Sequence, residues 1–132
     1  MKLGGGTITN LLIISLHVSP NMAPGVSKWG GTHTYMKEVL QKIDYEKFNV
    51  VLFTRKVFSI QKGIEQIGSK CKIVNLNFGS LGDFDKKLIS NYHESNFEQV
   101  KDILSRLCFK LDVIHSVYWN SDYLALALSR YY

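Results

Sequence analysis

Apolar residues fall along this chain in two rhythms. Leu11-Leu12-Ile13-Ile14-Ser15-Leu16-His17 is a nearly continuous apolar run, the pattern of a strand covered on both faces of a parallel sheet. Phe48 to Thr54 and Cys71 to Leu76 repeat the pattern, and Val113 to Val117 adds a fourth, shorter run. Between the runs the rhythm becomes helical. Met36, Val39, Leu40 and Ile43 recur at i, i+3, i+4 and i+7, one face of a helix with Thr32 as its expected N-cap. Phe97, Val100, Ile103, Leu104, Leu107 and Cys108 outline a broader face over Asn96 to Phe109, and Ser95-x-x-Glu98 reads as its capping box. A last helix, Asp122 to Arg130 capped by Ser121, is apolar on nearly every side and so calls for cover from more than one direction. Val57 to Gly68 is ambiguous, because Ile60, Ile64 and Ile67 have helical spacing while Gly63 interrupts it. Asn77 to Asp85 is a turn-rich loop, with a helical pattern beginning near Phe84.

Strands of buried type alternating with helices predict a Rossmann-like α/β fold, a parallel sheet with helices on both faces. Right-handed crossovers give the strand order 3-2-1-4. Strand 4 then lies beside strand 1, and a crevice opens outside their carboxyl ends. The Val18–Gly31 loop, which holds both prolines, and the Tyr118-Trp119-Asn120-Ser121 loop border it. Residues 1–10 read as a flexible lead-in and 11–132 as one domain. Gly4-Gly5-Gly6 precedes the first strand, whereas a dinucleotide fingerprint must follow it.

Composition narrows the class. With 45% hydrophobic and 20% charged residues among 132, the chain can bury a core and is not a disordered segment. The formal charge of +5 suits an anionic partner. The lysines are scattered, which argues against a nucleic-acid arm. Cys71 and Cys108 lie far apart, without metal-type spacing, and each sits in an apolar pattern, so both are expected as buried free thiols. No stretch approaches the ~20 apolar residues of a bilayer span, and Leu11 to Leu16 is short for a leader core. The expected location is the cytoplasm; membrane contact is not indicated.

The chemistry expected at the crevice is binding of a phosphate or a sugar. Gly30-Gly31 lets backbone approach a ligand closely, and the N–H groups at Thr32 to Thr34 would face an anion at a helix start. His33, in that first turn, is either a ligand to a hydroxyl or phosphate or a solvated side chain. His115, within strand 4, is either a ligand or a satisfied histidine directed toward the core, and His17 is similar. His93 reads as solvated. Tyr118 and Trp119 either stack on a sugar ring or close the top of the core. Arg55-Lys56 and Lys86-Lys87 are basic pairs on the same side of the sheet, either solvated or holding an acceptor phosphate. The sequence has no P-loop, nucleophile elbow, HExxH or cysteine–histidine metal cluster. No catalytic residue is assigned.

These residues carry a resemblance. Ile14-Ser15-Leu16-His17-Val18-Ser19-Pro20, then Gly30-Gly31-Thr32-His33-Thr34-Tyr35, then Val51-Leu52-Phe53-Thr54-Arg55, resemble the N-terminal domain of retaining GT-B glycosyltransferases. The similar branch is family four, which includes sucrose-phosphate synthase and mycothiol-pathway glycosyltransferases. Asp112-Val113-Ile114-His115-Ser116-Val117-Tyr118-Trp119-Asn120-Ser121 resembles that branch's Asp-aliphatic-aliphatic-His-(Ser or Gly)-x-Tyr-Trp-x-Ser stretch. The likeness runs in order from about Leu11 to Tyr132.

The resemblance implies an incomplete N-terminal domain of a GT-B fold, facing mainly the acceptor, with the donor domain and its Glu-x7-Glu type motif missing. It implies a nucleotide-sugar such as a UDP- or GDP-sugar as co-substrate, no other cofactor and no metal. The acceptor would be a hydroxyl compound that can carry a phosphate. Gly30, Gly31 and Thr32 would lie near the donor phosphates. His33, Lys86, Lys87, His115, Tyr118 and Trp119 would lie on the acceptor side. The branch often has Asn where this chain has His33. The implied activity is sugar transfer with retention, completed by a missing domain or a partner chain and absent from the 132 residues alone. The alternative is a non-catalytic Rossmann-like interaction module; a nucleotide-binding α/β domain of another kind is a weaker third.

Overall fold

The computed structural model describes residues 6–17, 31–82 and 84–132. Its sheet has five strands, β1 (Thr9–Ile14), β2 (Phe48–Arg55), β3 (Ile64–Ile67), β4 (Cys71–Leu76) and β5 (Val113–Ser116), in the order β3-β4-β2-β1-β5. Every pairing from β4 through β2 and β1 to β5 is parallel. These are the four strands and the order that the apolar runs predict. The ambiguous Val57–Gly68 stretch forms no helix. It yields β3, an antiparallel edge strand on β4 with Ile64 facing Val74 and Ile67 facing Cys71.

Each central strand is apolar at consecutive positions because the two faces bury alternate side chains. Leu12, Ile14, Val51, Phe53, Val74 and Leu76 enter one core layer. Ile13, Val50, Leu52, Cys71 and Ile73 enter the other. Helix α1 (Gly31–Lys42) covers the second layer through Met36 and Leu40. A 3-10 helix (Lys86–Tyr92), α2 (His93–Arg106) and α3 (Trp119–Tyr131) cover the first through Ile89, Val100, Leu104, Leu124 and Leu128. The chain therefore passes from one face to the other between the β1–α1–β2 and β4–α2–β5 connections, and β1 and β5 stand side by side at the change.

Several boundaries differ from expectation. β1 begins at Thr9, inside the supposed lead-in, because Thr9 N–H bonds Lys47 O at 2.8 Å. Asn10 N–H bonds Asp112 Oδ2 at 2.8 Å and the Asn10 amide bonds Lys110 O at 2.7 Å, so the lead-in side of β1 fixes the register of β5. Helix α1 starts at Gly31, which places Thr32 inside the first turn rather than at the cap. The capping box does not form. The 3-10 helix runs straight into α2, and Ser95 donates its hydroxyl to Tyr92 O instead. Continuous helical backbone already supplies acceptors to those N–H groups, which leaves a capping side chain nothing to do.

Helix α3 starts at Trp119, earlier than predicted, and Ser121 lies within it. The helix is covered on one side only: Leu124 and Leu128 are buried, while Tyr123 and Leu126 are each about half exposed, at 55% and 51%. β5 departs too. It is an edge strand in this chain, with Val113 and His115 on the α1 face, and both are exposed. His115 therefore does not point into the core.

Cys71 is buried and Cys108 is exposed. The α2 terminus explains Cys108. Phe109 N–H bonds Leu104 O and Cys108 N–H bonds Ser105 O, with Cys108 at φ 51°. This is a Schellman motif, whose left-handed position turns its side chain away from the helix face and seats Phe109 in the core instead.

Candidate active-site crevice

The carboxyl ends of β1 and β5 are joined side by side. Val117 N–H bonds Ile14 O at 2.8 Å. Leu16 N–H donates to Ser121 Oγ at 3.1 Å in a buried bond. Ser121, predicted as a helix cap, thus ties the end of β1 to the first turn of α3. That bond holds the two sides of the crevice in register.

Three side chains converge above this junction. The His17 and Tyr118 rings lie 4.6 Å apart between centroids. Lys86 Nζ is 3.0 Å from the Tyr118 hydroxyl oxygen and 4.8 Å from its ring centroid. Trp119 follows, with its ring 6.2 Å from that of Tyr118. Tyr118 sits where β5 becomes α3, with φ 72° and ψ 153°. That region is essentially reserved for glycine and costs a residue with a side chain on the order of 1–3 kcal/mol. The surroundings hold it there: Val117 is anchored on Ile14, Ser121 on Leu16, and Ser121 N–H returns to Tyr118 O. The strain turns the Tyr118 ring back over the end of β1.

Electrostatics match the geometry. Lys86 beside the Tyr118 hydroxyl lowers that phenol's pKa, through the hydrogen bond and through charge. Burial, and then the charge of Lys86, lowers the pKa of His17, which favours the neutral ring. Its Nδ1 is buried without a hydrogen-bond partner. Among the described residues Lys86 has no carboxylate partner. The cluster therefore presents one uncompensated cation, a phenol and a neutral imidazole at an open sheet end.

The other sequence candidates separate into groups. Lys87 is exposed, and among the described residues its backbone N–H alone is engaged, on Asp85 Oδ1. His115 lies one strand level below the junction, opposite Ile13, and is exposed. His93 is not simply solvated: it is half-buried, with its ring 5.3 Å from Tyr123. Gly31, Thr32 and His33 form the first turn of α1. Gly30 and the rest of the Val18–Gly30 loop lie outside the described residues.

Arg55 is the clearest reassignment. It is 7% exposed, donates to Ser80 O at 2.8 Å and Gly82 O at 2.7 Å, and stacks 5.0 Å from the Phe84 ring centroid. It braces the loop after β4 and is not displayed toward a ligand. Lys56, its neighbour, lines a separate cleft of about 370 Å³ with Ser59, Asn77, Phe78, Gly79 and Leu81.

One feature of the sheet end escapes the apolar runs. Ser15, Thr54 and Asn75 are buried polar residues at the carboxyl ends of β1, β2 and β4. Alternation puts all three on the α1 face, and Thr54 pairs with Asn75 in register. The Thr54 hydroxyl and the Asn75 Oδ1 have no hydrogen-bond partner. The signal was readable: each of three apolar runs carries a small polar residue at the same level. Among the described residues, no group of three or more His, Cys, Asp or Glu is placed to hold a metal ion.

No family model matches the chain. It is 29% identical over 124 residues to a D-inositol 3-phosphate glycosyltransferase of Pseudarthrobacter chlorophenolicus, which covers 93% of this chain and 30% of that protein. The enzyme of the same name from Paenarthrobacter aurescens is 28% identical over 121 residues, covering 91% and 30%. The chain thus spans about 30% of the length of these relatives. Among solved structures, sucrose-phosphate synthase from Thermosynechococcus elongatus superposes with a TM-score of 0.81 at 20% identity, over 94% of this chain and 31% of that one. The sequence likeness and the shared fold agree: this chain is similar, over nearly its whole length, to the N-terminal region of GT-B glycosyltransferases and has their Rossmann-like fold.

Proposed function

We propose that this chain is the acceptor-side part of an enzyme that moves a sugar, with retention, from a nucleotide-sugar to a hydroxyl acceptor carrying a phosphate. The observation that carries the reading is the Lys86–Tyr118 pair, 3.0 Å apart over His17. A phosphate at this point would take the free ammonium charge and the phenol hydrogen bond together. Its sugar or polyol ring would lie against Tyr118 and Trp119. Catalysis then depends on orientation: fixing the phosphate aims one hydroxyl at the donor's anomeric carbon. The first turn of α1, with Gly30-Gly31, is proposed to face the donor phosphates, and His33 the acceptor. The nucleotide and the opposite wall are proposed to belong to the remaining length that the relatives have, supplied in the same polypeptide or by a partner. Turnover is not expected from these 132 residues alone. The proposed setting is the cytoplasm, where free thiols such as Cys71 and Cys108 are kept reduced.

The relatives' names suggest the probe. D-Inositol 3-phosphate is titrated calorimetrically against the chain and against a Lys86→Met variant, with neutral myo-inositol as control. An ammonium–phosphate contact near 4 Å is worth about 1–4 kcal/mol between bulk-water and surface dielectric. Affinity for the phosphorylated compound is therefore expected to fall roughly fivefold or more, while the neutral compound is unaffected. Lys86 is exposed, so the variant keeps its fold. Equal affinity in the variant and the parent refutes the reading.

A further inference from the structure

We infer that the cleft between the loop after β2 and the loop after β4 is a second binding site, for a nucleoside monophosphate. It lies at the β2/β4 end of the sheet, away from the β1/β5 junction, and it does not depend on the glycosyltransferase reading.

The cleft has two unlike walls. Lys56 and Ser59 form one, and Asn77, Phe78, Gly79 and Leu81 form the other. The first wall offers a cation and a hydroxyl; the second offers apolar surface and a carboxamide. Among the described residues, none that lines either wall is acidic. A flat ring with a polar edge, joined to an anion, is the matching ligand shape. Phosphate would meet Lys56 and Ser59, and the base would lie along Leu81 and the edge of Phe78. The Asn77 carboxamide, a donor and an acceptor side by side, pairs well with a base edge of the adenine type. The volume of about 370 Å³ falls within the range of small-molecule pockets, about 300–1,000 Å³.

Both walls are braced before any ligand arrives. Gln61 Oε1 accepts from the Val57 and Phe58 N–H groups at 2.7 and 2.9 Å, which folds the first loop and places Ser59 at its tip. Gln99 grips the Asn77 backbone on both sides, accepting from its N–H and donating to its carbonyl. Among the described residues the Asn77 carboxamide has no partner, because Gln99 holds only its backbone. Gly82 N–H bonds Val57 O at 2.8 Å and joins the walls. Arg55 holds Ser80 O and Gly82 O from below. Gly79 completes the second wall: at φ 68° a Cβ would lie 2.4 Å from the Phe84 ring, so only glycine permits this loop path. Preorganised walls spare a ligand the ordering cost that weakens binding on mobile loops.

The test is a titration of amide NMR shifts in the 132-residue chain with AMP, and in parallel with adenosine and inorganic phosphate. AMP is expected to shift the amides of residues 56–59 and 77–81, and to bind at least tenfold more tightly than either part alone. Lys56→Met is expected to cost AMP at least fivefold and adenosine nothing. Asn77→Ala is expected to remove the preference for AMP over ribose 5-phosphate. Lys86→Met, which tests the acceptor site, should leave AMP binding unchanged. Shifts confined to residues 31–35 or to Lys86 and Tyr118 overturn the inference. So does phosphate binding as tightly as AMP, or a Lys56→Met variant with unchanged AMP affinity.

Discussion

Arg55 offers the sharpest test of how the sheet end is built, because its sequence position invites a ligand role and its contacts give it a structural one. The perturbation is Arg55→Met, with Arg55→Lys beside it. The guanidinium donates charge-assisted bonds to Ser80 O at 2.8 Å and Gly82 O at 2.7 Å, with a longer one to Lys56 O at 3.4 Å. Bonds to a charged group contribute about 1.5–3 kcal/mol each. Ser80 is exposed and Gly82 half-buried, so water recovers part of that loss once the guanidinium is gone. Methionine keeps most of the packing on Phe84 but loses the cation–ring attraction, about 0.5–2 kcal/mol. The net expectation is a loss of about 2–4 kcal/mol for Arg55→Met. Lysine reaches one carbonyl as a point charge and cannot reproduce the fork, so about half of the loss should remain. Urea unfolding followed by circular dichroism measures both. With a slope of about 1–3 kcal/mol/M, the midpoint of Arg55→Met should fall by roughly 1–2 M. Hydrogen exchange of the Gly82 amide, bonded to Val57 O, should accelerate in both variants. A midpoint within ~0.2 M of the parent, together with weaker anion binding, would show that Arg55 is displayed to ligands and that its loop contacts are incidental.

Two further predictions concern backbone strain and protonation. Cys108 occupies the left-handed position of the α2 Schellman motif at φ 51°, where glycine avoids a penalty of about 1–2 kcal/mol and gives back about 0.5–1 in chain entropy. Cys108→Gly should therefore raise stability by up to about 1 kcal/mol in urea unfolding, and a loss of stability contradicts the assignment. His17 has a pKa pushed below 6.5 by burial and by Lys86. The unfolded chain then takes up that proton first as pH falls, so the stability due to His17 is complete above 6.5 and is lost below it. The melting temperature should drop between pH 7.5 and 5.5, and His17→Gln should flatten that drop. An unchanged pH profile in the variant refutes the assignment to His17.

The strands were legible because physics leaves few options for runs such as Leu11 to Leu16. A run apolar at consecutive positions has no solvated face, and only a sheet covered on both sides accepts several of them. Their order follows from crossover handedness, and with it the meeting of His17 and Tyr118. Lys86 could be placed only coarsely. The helical pattern near Phe84 announced its element, a 3-10 helix over Lys86–Tyr92, but its approach to Tyr118 depends on where the loop before it is pinned by Arg55. Ser95, Thr32 and Ser121 show a related limit. Each has the chemistry of a cap, but capping depends on which N–H groups the backbone leaves unpaired. At Ser95 the preceding 3-10 helix had already filled that need.

Tyr118 shows why the site itself was only half readable. A sequence rule expects glycine at a φ of 72°, and this chain puts the largest phenolic side chain there. The strain persists because the surroundings over-determine the turn. Its neighbours support that view: Ser121 locks the turn onto Leu16, His17 lies under the ring, and Lys86 meets its hydroxyl. Glycine would relax the backbone and remove all the ring contacts at once. The position therefore trades local stability for a phenol held beside the Lys86 ammonium, the pairing on which the proposed phosphate-bearing acceptor rests. Strain and charge at one residue together motivate the proposed crevice, whereas the aromatic pair Tyr118-Trp119 in the sequence pointed to it only by type.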